Sequence, residues 1–417
     1  MSPKINKIVT ITGVWLCRIL AGGAFLFSGF AKGVDPWGTL FKFEQYFAAW
    51  GLTEPRSLIL SGVILLSLVE FLLGVAILTG MYRRKAPWFL LIMMLFFLPL
   101  TIYIAAGQPV DDCGCFGDAI ILSNSATVAK NVILLAMSIV LVLYNRRVAG
   151  VFQDALQWIV SVVSGFYILT ISFFGYNYQP LVDFRTYPIG SSLTEEASQG
   201  EVKFVYERDG HRMSFPADSL PSPDDGWEFV ERSGAFSERY PLLIEDEEGE
   251  NVTDFVLADE GDLLLVVIPE PERADLSGTM YINRIYEATE VADIEMAALL
   301  GDASSDDLER WKDLSMAEYP VYSSDKSLLK SLSRGNISFV YLHDGRITQK
   351  NSLSMMSTGR LERLKNGEAT VESIVGFPAS TTFAWLTRIY LIIILVLIVF
   401  SFPFSLMKRI KSRSEKN

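Results

Sequence analysis

Apolar residues gather into six long runs, at residues 8–30, 58–79, 88–106, 127–144, 155–174 and 383–406. Each is near the roughly 20 residues that a helix needs to cross a bilayer. Between the fifth and sixth runs the period changes. "EVKFVYERDGHRMSF" alternates in the manner of a hairpin turning at Asp209–Gly210. "RYPLLIEDEEGENVTDFVL" reads as a strand, an acidic turn and a following segment, and "DLLLVVIPEPE" as a strand buried on both faces. A helix over residues 278–288 follows, with Tyr281, Ile285 and Ala288 on one face, then "EMAALLG", a buried strand whose composition also suits a helix. "SSDDLERWKDL" opens with a helix-start signal at Ser305. "YPVYSSDKSLLKSLSRG" adds a strand and a helix, and "ISFVYLHDGRITQK" a hairpin turning at Asp344–Gly345.

Charge separates the two regions further. Residues 177–381 hold 39 acidic and 18 basic side chains, a net −21, which leaves +9 elsewhere in a chain whose total is −12. An acidic region of that size argues against a nucleic-acid partner, since phosphate binding needs clustered Lys and Arg. The basic clusters outside it are Lys4 and Lys7, then Arg83, Arg84 and Lys85, then Arg146 and Arg147, then the tail from Lys408. With six spans all four clusters fall on one side, and the positive-inside rule makes that side cytoplasmic. In a bacterium this topology expects an inner-membrane protein with both termini inside and residues 177–381 in the oxidising periplasm. Lys4 and Lys7 ahead of an apolar run imitate a signal peptide. However, Leu16 precedes Cys17 where lipoprotein processing wants a small residue, and the run continues to Phe30, so an uncleaved helix is expected.

Three cysteines occur in the chain, and two of them, Cys113 and Cys115, stand in "DDCGCFGD" between the third and fourth runs. Cysteines at i and i+2 can approach disulfide distance only if the residue between them bends, which Gly114 permits. Gly117 loosens the far side of Phe116. A small strained ring suits exchange, whereas one closing a single residue contributes little entropic stabilisation. Against this, Asp111, Asp112 and Asp118 oppose a thiolate. An inert turn and a metal site shared with a partner stay open, although zinc wants four ligands and the chain has two histidines, His211 and His343. Cys17 reads as a small buried apolar residue. Arg18 and Glu70 are charges inside the first two spans, each about ten residues from the cytoplasmic face, so they are expected to form an intramembrane ion pair. That pair is either a clasp between helices or the polar floor of a cavity.

"RILAGGAFLFSGFAKGVDPWG", a Glu in the second span followed by "LLGVAILTG", and "CGCFGD" resemble the DoxX/MauE group of bacterial membrane proteins over about residues 8–145. The resemblance implies a four-helix membrane bundle, similar in outline to vitamin K epoxide reductase-type oxidoreductases, and a link to forming or maintaining disulfides in exported proteins. The bundle lacks the CxxC pair of the epoxide reductase pattern. Residues 240–350 resemble the thioredoxin fold, but "PEPERADLSG" stands where a redox thioredoxin carries CxxC.

The expected fold class is therefore an α-helical membrane bundle, a four-helix DoxX/MauE-like core plus two further spans, with an extracytoplasmic α/β thioredoxin-like domain. The expected domains are residues 1–150, a fifth span at 151–176, an acidic domain at 177–381, and a sixth span with basic tail at 382–417. The expected function is thiol–disulfide chemistry through Cys113 and Cys115, supported by Gly114, Phe116 and Gly117. Its partners would be the bilayer, an exported or membrane client, and a quinone or other electron acceptor; no bound cofactor is expected. The alternative is a scaffold whose redox-dead domain docks a partner.

Overall fold

The computed structural model describes residues 3–52, 55–107, 114–120, 122–193, 203–208, 211–216, 228–233, 242–257 and 260–414. Asp111, Asp112, Cys113 and the expected turn at Asp209–Gly210 lie outside these. The chain divides into two compact units, Met1–Phe184 with Pro378–Asn417, and Arg185–Phe377.

The first unit is helical. Its elements are α1 (Pro3–Val34), α2 (Pro36–Ala49), α3 (Arg56–Thr79), α4 (Ala86–Gly107), α5 (Asn124–Tyr144) and α6 (Gln157–Asn177). Among the described residues six helical segments are long and apolar enough to span a membrane: Ile8–Val34, Arg56–Thr79, Ala86–Ala106, Asn124–Arg147, Gln157–Asn177 and Val371–Ser401. The break after α1 is written in the sequence. Asp35 caps α2 by accepting from Gly38 N at 2.9 Å, and Pro36 follows at the first helical position.

Glycines fix how α1 and α3 meet. A Cβ at Gly22 would lie 2.6 Å from Leu78 N, one at Gly29 2.3 Å from Phe71 N, and one at Gly74 2.3 Å from Leu26 N. The two antiparallel backbones therefore touch, as small residues allow in membranes. Ser67 Oγ crosses the gap to donate to the Gly29 carbonyl at 2.9 Å. The last span, in α13 (Ala379–Ser414), joins the bundle through α6. Tyr167 and Tyr390 stack at 4.3 Å, Ser164 Oγ lies 3.0 Å from the Tyr390 hydroxyl, and Tyr167 bonds Thr387 at 2.9 Å.

The second unit is α/β. An antiparallel sheet, order β2–β1–β3, comprises β1 (Lys203–Arg208), β2 (His211–Pro216) and β3 (Glu228–Ser233). A mixed sheet follows, built from β4 (Ile244–Glu245), β5 (Asp262–Ile268), β6 (Glu295–Gly301), β7 (Val321–Ser324), β8 (Ser338–His343) and β9 (Arg346–Ser352). Its order is β4–β7–β6–β5–β8–β9, with β5, β6 and β7 parallel and β8 antiparallel to β5. Its helices are α7 (Thr253–Val256), α8 (Thr279–Val291), α9 (Ser305–Ser315), α10 (Lys326–Leu332), α11 (Thr358–Lys365) and α12 (Val371–Val375).

β5 sits at the centre because both its faces are apolar. Leu264, Val266 and Ile268 enter one core with Ile282 and Phe339, while Leu263, Leu265 and Val267 enter another with Leu299 and Val340. "EMAALLG" is a strand because its apolar side chains fill both of those cores. The cap of α9 is Ser304, one residue earlier than expected, with Asp307 completing a capping box. The β8–β9 hairpin turns at Asp344 and Gly345, with φ of 47° and 68°, the left-handed pair that a two-residue hairpin loop requires.

Candidate functional site

Cys115 stands in a short segment between α4 and α5, followed by a helical turn at Gly117–Ala119. Gly114 and Gly117 have φ of 58° and 56°, so the glycines on both sides of Cys115–Phe116 supply the left-handed backbone that the bend needs. Phe116 is buried and tethers the segment to the bundle, its ring 5.5 Å from Phe27, with Lys130 Nζ 4.2 Å above its face. The stem of Lys42, on α2, packs beside Gly114.

Beneath Cys115 lies a buried polar cluster. Lys32 Nζ bonds Glu70 Oε2 at 2.8 Å, Ser28 Oγ at 2.7 Å and the Cys115 carbonyl at 2.6 Å, which uses its three hydrogens. Ser28 Oγ is 2.8 Å from Glu70 Oε2 and 2.7 Å from that same carbonyl. Lys32 and Glu70 are 5% and 3% exposed, so each would be costly without the other. The pair ends on the backbone of the cysteine loop.

The expected Arg18–Glu70 pair does not form. The glycine contacts set Glu70 level with Gly29 of α1, while Arg18 reaches Gly80, ten residues along from Glu70, or about 15 Å of helix rise. Equal depth from one membrane face was the wrong ruler, because backbone contact fixes the register. Fully buried Arg18 instead bonds Asn145 Oδ1 at 2.8 Å and the carbonyls of Ala149 and Val148, each at 2.9 Å. It thereby ties the segment that follows α5, from Asn145 to Ala149, to α1. Trp15 covers the guanidinium at 4.9 Å. Arg18 is a clasp, far from the cysteine loop.

Sequence reasoning missed the bond between Lys32 and Glu70. Cys17 is eleven residues from Ser28 along α1, about 16 Å of rise, so it cannot exchange directly with a thiol beside Ser28. Among the described residues no group of three or more His, Cys, Asp or Glu side chains is arranged to hold a metal.

A cavity of about 460 Å³ opens within the same bundle, bounded by α1 to α5 and by Gly114, Cys115 and Phe116. Its walls are almost entirely apolar, with Ser28, Lys32, Glu70, Thr101, Lys130 and Asn131 among the residues that line it.

Residues 10–144, which contain this loop, the ion pair and the cavity, match the family described as methylamine utilisation protein MauE. Over these residues the chain is similar to that family, and the matched stretch carries four of the six apolar helices. Residues 200–234 match a domain of unknown function, DUF8463, which covers the antiparallel sheet β1–β3. No curated protein and no solved structure matches the chain.

In the second unit, the end of β5 holds a different cluster. Asn336 donates to the Glu270 carbonyl at 2.7 Å and accepts from its amide at 2.8 Å. The buried Glu270 carboxylate takes Lys330 at 2.8 Å, with Lys326 and Arg273 each at 3.7 Å. A closed ion network, with no thiol, occupies this position.

Proposed function

We propose that this MauE-type protein is an inner-membrane thiol–disulfide protein in which Cys113 and Cys115 exchange with cysteines of an exported or membrane client. The observation that carries the reading is the clamp on Cys115. A buried ion pair and a serine converge on its carbonyl, and two left-handed glycines flank Cys115–Phe116. An inert turn needs no intramembrane charge pair to hold its backbone, because such a pair is costly to bury. A reactive group needs fixed geometry. Lys42 and Lys130 beside the loop oppose the charge of Asp111, Asp112 and Asp118, and a cation near a thiol favours the thiolate.

In this reading the basic clusters are cytoplasmic, and the cysteine loop and the α/β unit are periplasmic. The α/β unit is thioredoxin-like. Support comes from the β5–α8–β6 crossover, with β6 and the β8–β9 hairpin flanking a central β5. Residues 185–377 contain no cysteine, so this unit selects the client and leaves thiol exchange to the loop. A scaffold without chemistry is the second reading, and the Glu270 network favours it, since it fills the place where a redox thioredoxin carries its cysteines.

Trapping separates the two. With Cys115 changed to Ser, exchange predicts mixed disulfides between Cys113 and client proteins, visible on non-reducing gels and lost with added reductant. A scaffold would crosslink to partners through lysines yet give no such adducts in either single-cysteine variant.

A further inference from the structure

We infer that the end of the helical unit where α4 begins and α5 ends binds the phosphodiester headgroup of an anionic phospholipid from the adjoining leaflet. The inference is independent of the thiol–disulfide reading and rests on the apolar spans alone.

Two stretches far apart in sequence build one basic platform there. The Asn145 side-chain amide donates to the Arg83 carbonyl at 3.3 Å, Arg83 donates to the Val148 carbonyl at 3.4 Å, and the Val151 amide donates to the Thr79 carbonyl at 2.8 Å. A Cβ on Gly150 would lie 2.4 Å from the Gly80 carbonyl oxygen, so the two backbones touch. Arg83, Arg84, Lys85, Arg146 and Arg147 thereby share one end of the bundle.

The turn that carries the first three is strained. Tyr82 has φ of 44°, a left-handed backbone that a bulky side chain rarely adopts. Its amide donates to Gln157 Oε1 at 3.0 Å, and its carbonyl accepts from the amides of Lys85 and Ala86 at 2.8 and 2.9 Å. Strain of this kind persists where the surroundings over-determine the geometry, and it clusters at ligand clamps.

The platform has charge to spare. Neither residues 80–86 nor residues 145–153 include an Asp or Glu. Asp154, the next carboxylate along the chain, accepts from Gln157 Nε2 at 2.9 Å. Arg84, Lys85, Arg146 and Arg147 are exposed, and their side-chain N–H groups meet no acceptor among the described residues. Arg147 is steadied over the Tyr144 ring at 5.1 Å. α4 starts at the same place with no acidic residue in its first turn, so its positive end adds to the field.

Position selects a lipid over a soluble anion. Arg84 and Lys85 directly precede the span Ala86–Ala106, and Arg146 and Arg147 close the span Asn124–Arg147. That is headgroup depth, where each Lys or Arg strengthens the hold on anionic lipid. Trp88, Phe89, Leu143 and Tyr144 are exposed within the adjoining turns and offer apolar surface to the acyl chains.

The test titrates the full chain in dodecyl maltoside with dioleoyl phosphatidylglycerol, and in parallel with dioleoyl phosphatidylcholine or with glycerophosphate. Native mass spectrometry counts the lipid retained, and thermal unfolding reads its affinity. Arg84→Gln with Arg147→Gln removes two exposed cations and leaves Arg83, Lys85 and Arg146 to direct insertion. Lys408→Gln with Arg409→Gln removes the same charge from the tail.

The expected result is saturable retention of phosphatidylglycerol by the parent and by the tail variant. The Arg84/Arg147 variant should show a Kd raised about thirtyfold. Equal weakening in both variants would mean diffuse charge attraction and overturn the inference. Equal retention of phosphatidylcholine, or equal protection by glycerophosphate, would overturn it too, the first by showing an acyl-chain site and the second a soluble-anion site. If the Arg84/Arg147 variant does not fold, the comparison of the three ligands on the parent still decides.

Discussion

Glu70 serves Lys32 and Ser28, while Arg18 bonds Asn145 and the carbonyls of Val148 and Ala149. Glu70→Gln leaves a buried ammonium half-paired and should cost about 3–5 kcal/mol, read as a lower unfolding temperature in detergent. Charge reversal separates the two pairings. Lys32→Glu with Glu70→Lys should recover part of that stability, whereas Arg18→Glu with Glu70→Arg should recover none. Recovery by the Arg18 exchange would restore the pairing expected from depth alone. The Lys32→Glu exchange also places a carboxylate where an ammonium donated to Cys115, so hydrogen exchange in residues 115–117 should rise even as stability returns. Both charges were legible in the sequence as intramembrane ions, but their partners were not. Depth counted from span ends can miss by several residues, and the sequence signal that would have corrected it is the glycine set Gly22, Gly29 and Gly74, which fixes the register.

At the element scale the contact between α1 and α3 depends on which glycines face the partner. Gly29→Ala puts a Cβ 2.3 Å from Phe71 N and should force the helices apart, lowering stability and loosening the Cys115 clamp together. Gly23→Ala meets nothing within 4 Å and should stabilise by up to about 1 kcal/mol through helix propensity. Equal effects of the two changes on thermal unfolding would contradict the packing described here. In the α/β unit, the β8–β9 hairpin carries a pH response. Hydrogen bonding to Asp262, then the charges of Asp344 and Asp262, raise the His343 pKa above its ordinary value. A raised folded pKa means that the bond contributes fully below the unfolded value near 6.5 and fades as pH rises through the folded value. Protection factors of β8 and β9 amides, corrected for intrinsic exchange, should therefore fall on going from mildly acidic to mildly alkaline pH, and should become flat in His343→Gln. The strands here were legible from alternation and from the Asp344–Gly345 turn, since local chemistry fixes both. The six-strand order was not legible, because it depends on which apolar faces meet across the cores.

At the scale of the whole molecule, two units of different chemistry share one chain. The helical unit contains all three cysteines, while the α/β unit carries most of the acidic charge and has an ion network at the end of its central strand. The runs of apolar residues announced six spans, since bilayer thickness sets their length. The cavity was invisible in sequence, as its walls come from five helices and no single run records an empty space. The central claim is that the pair Cys113 and Cys115 cycles between thiol and disulfide. The most direct measurement is the redox state of the pair in intact cells by mass-tag trapping, with Cys17 changed to Ser. Cycling predicts a mixture of reduced and oxidised forms that moves with added oxidant or reductant. A pair locked in one state under both treatments would contradict it.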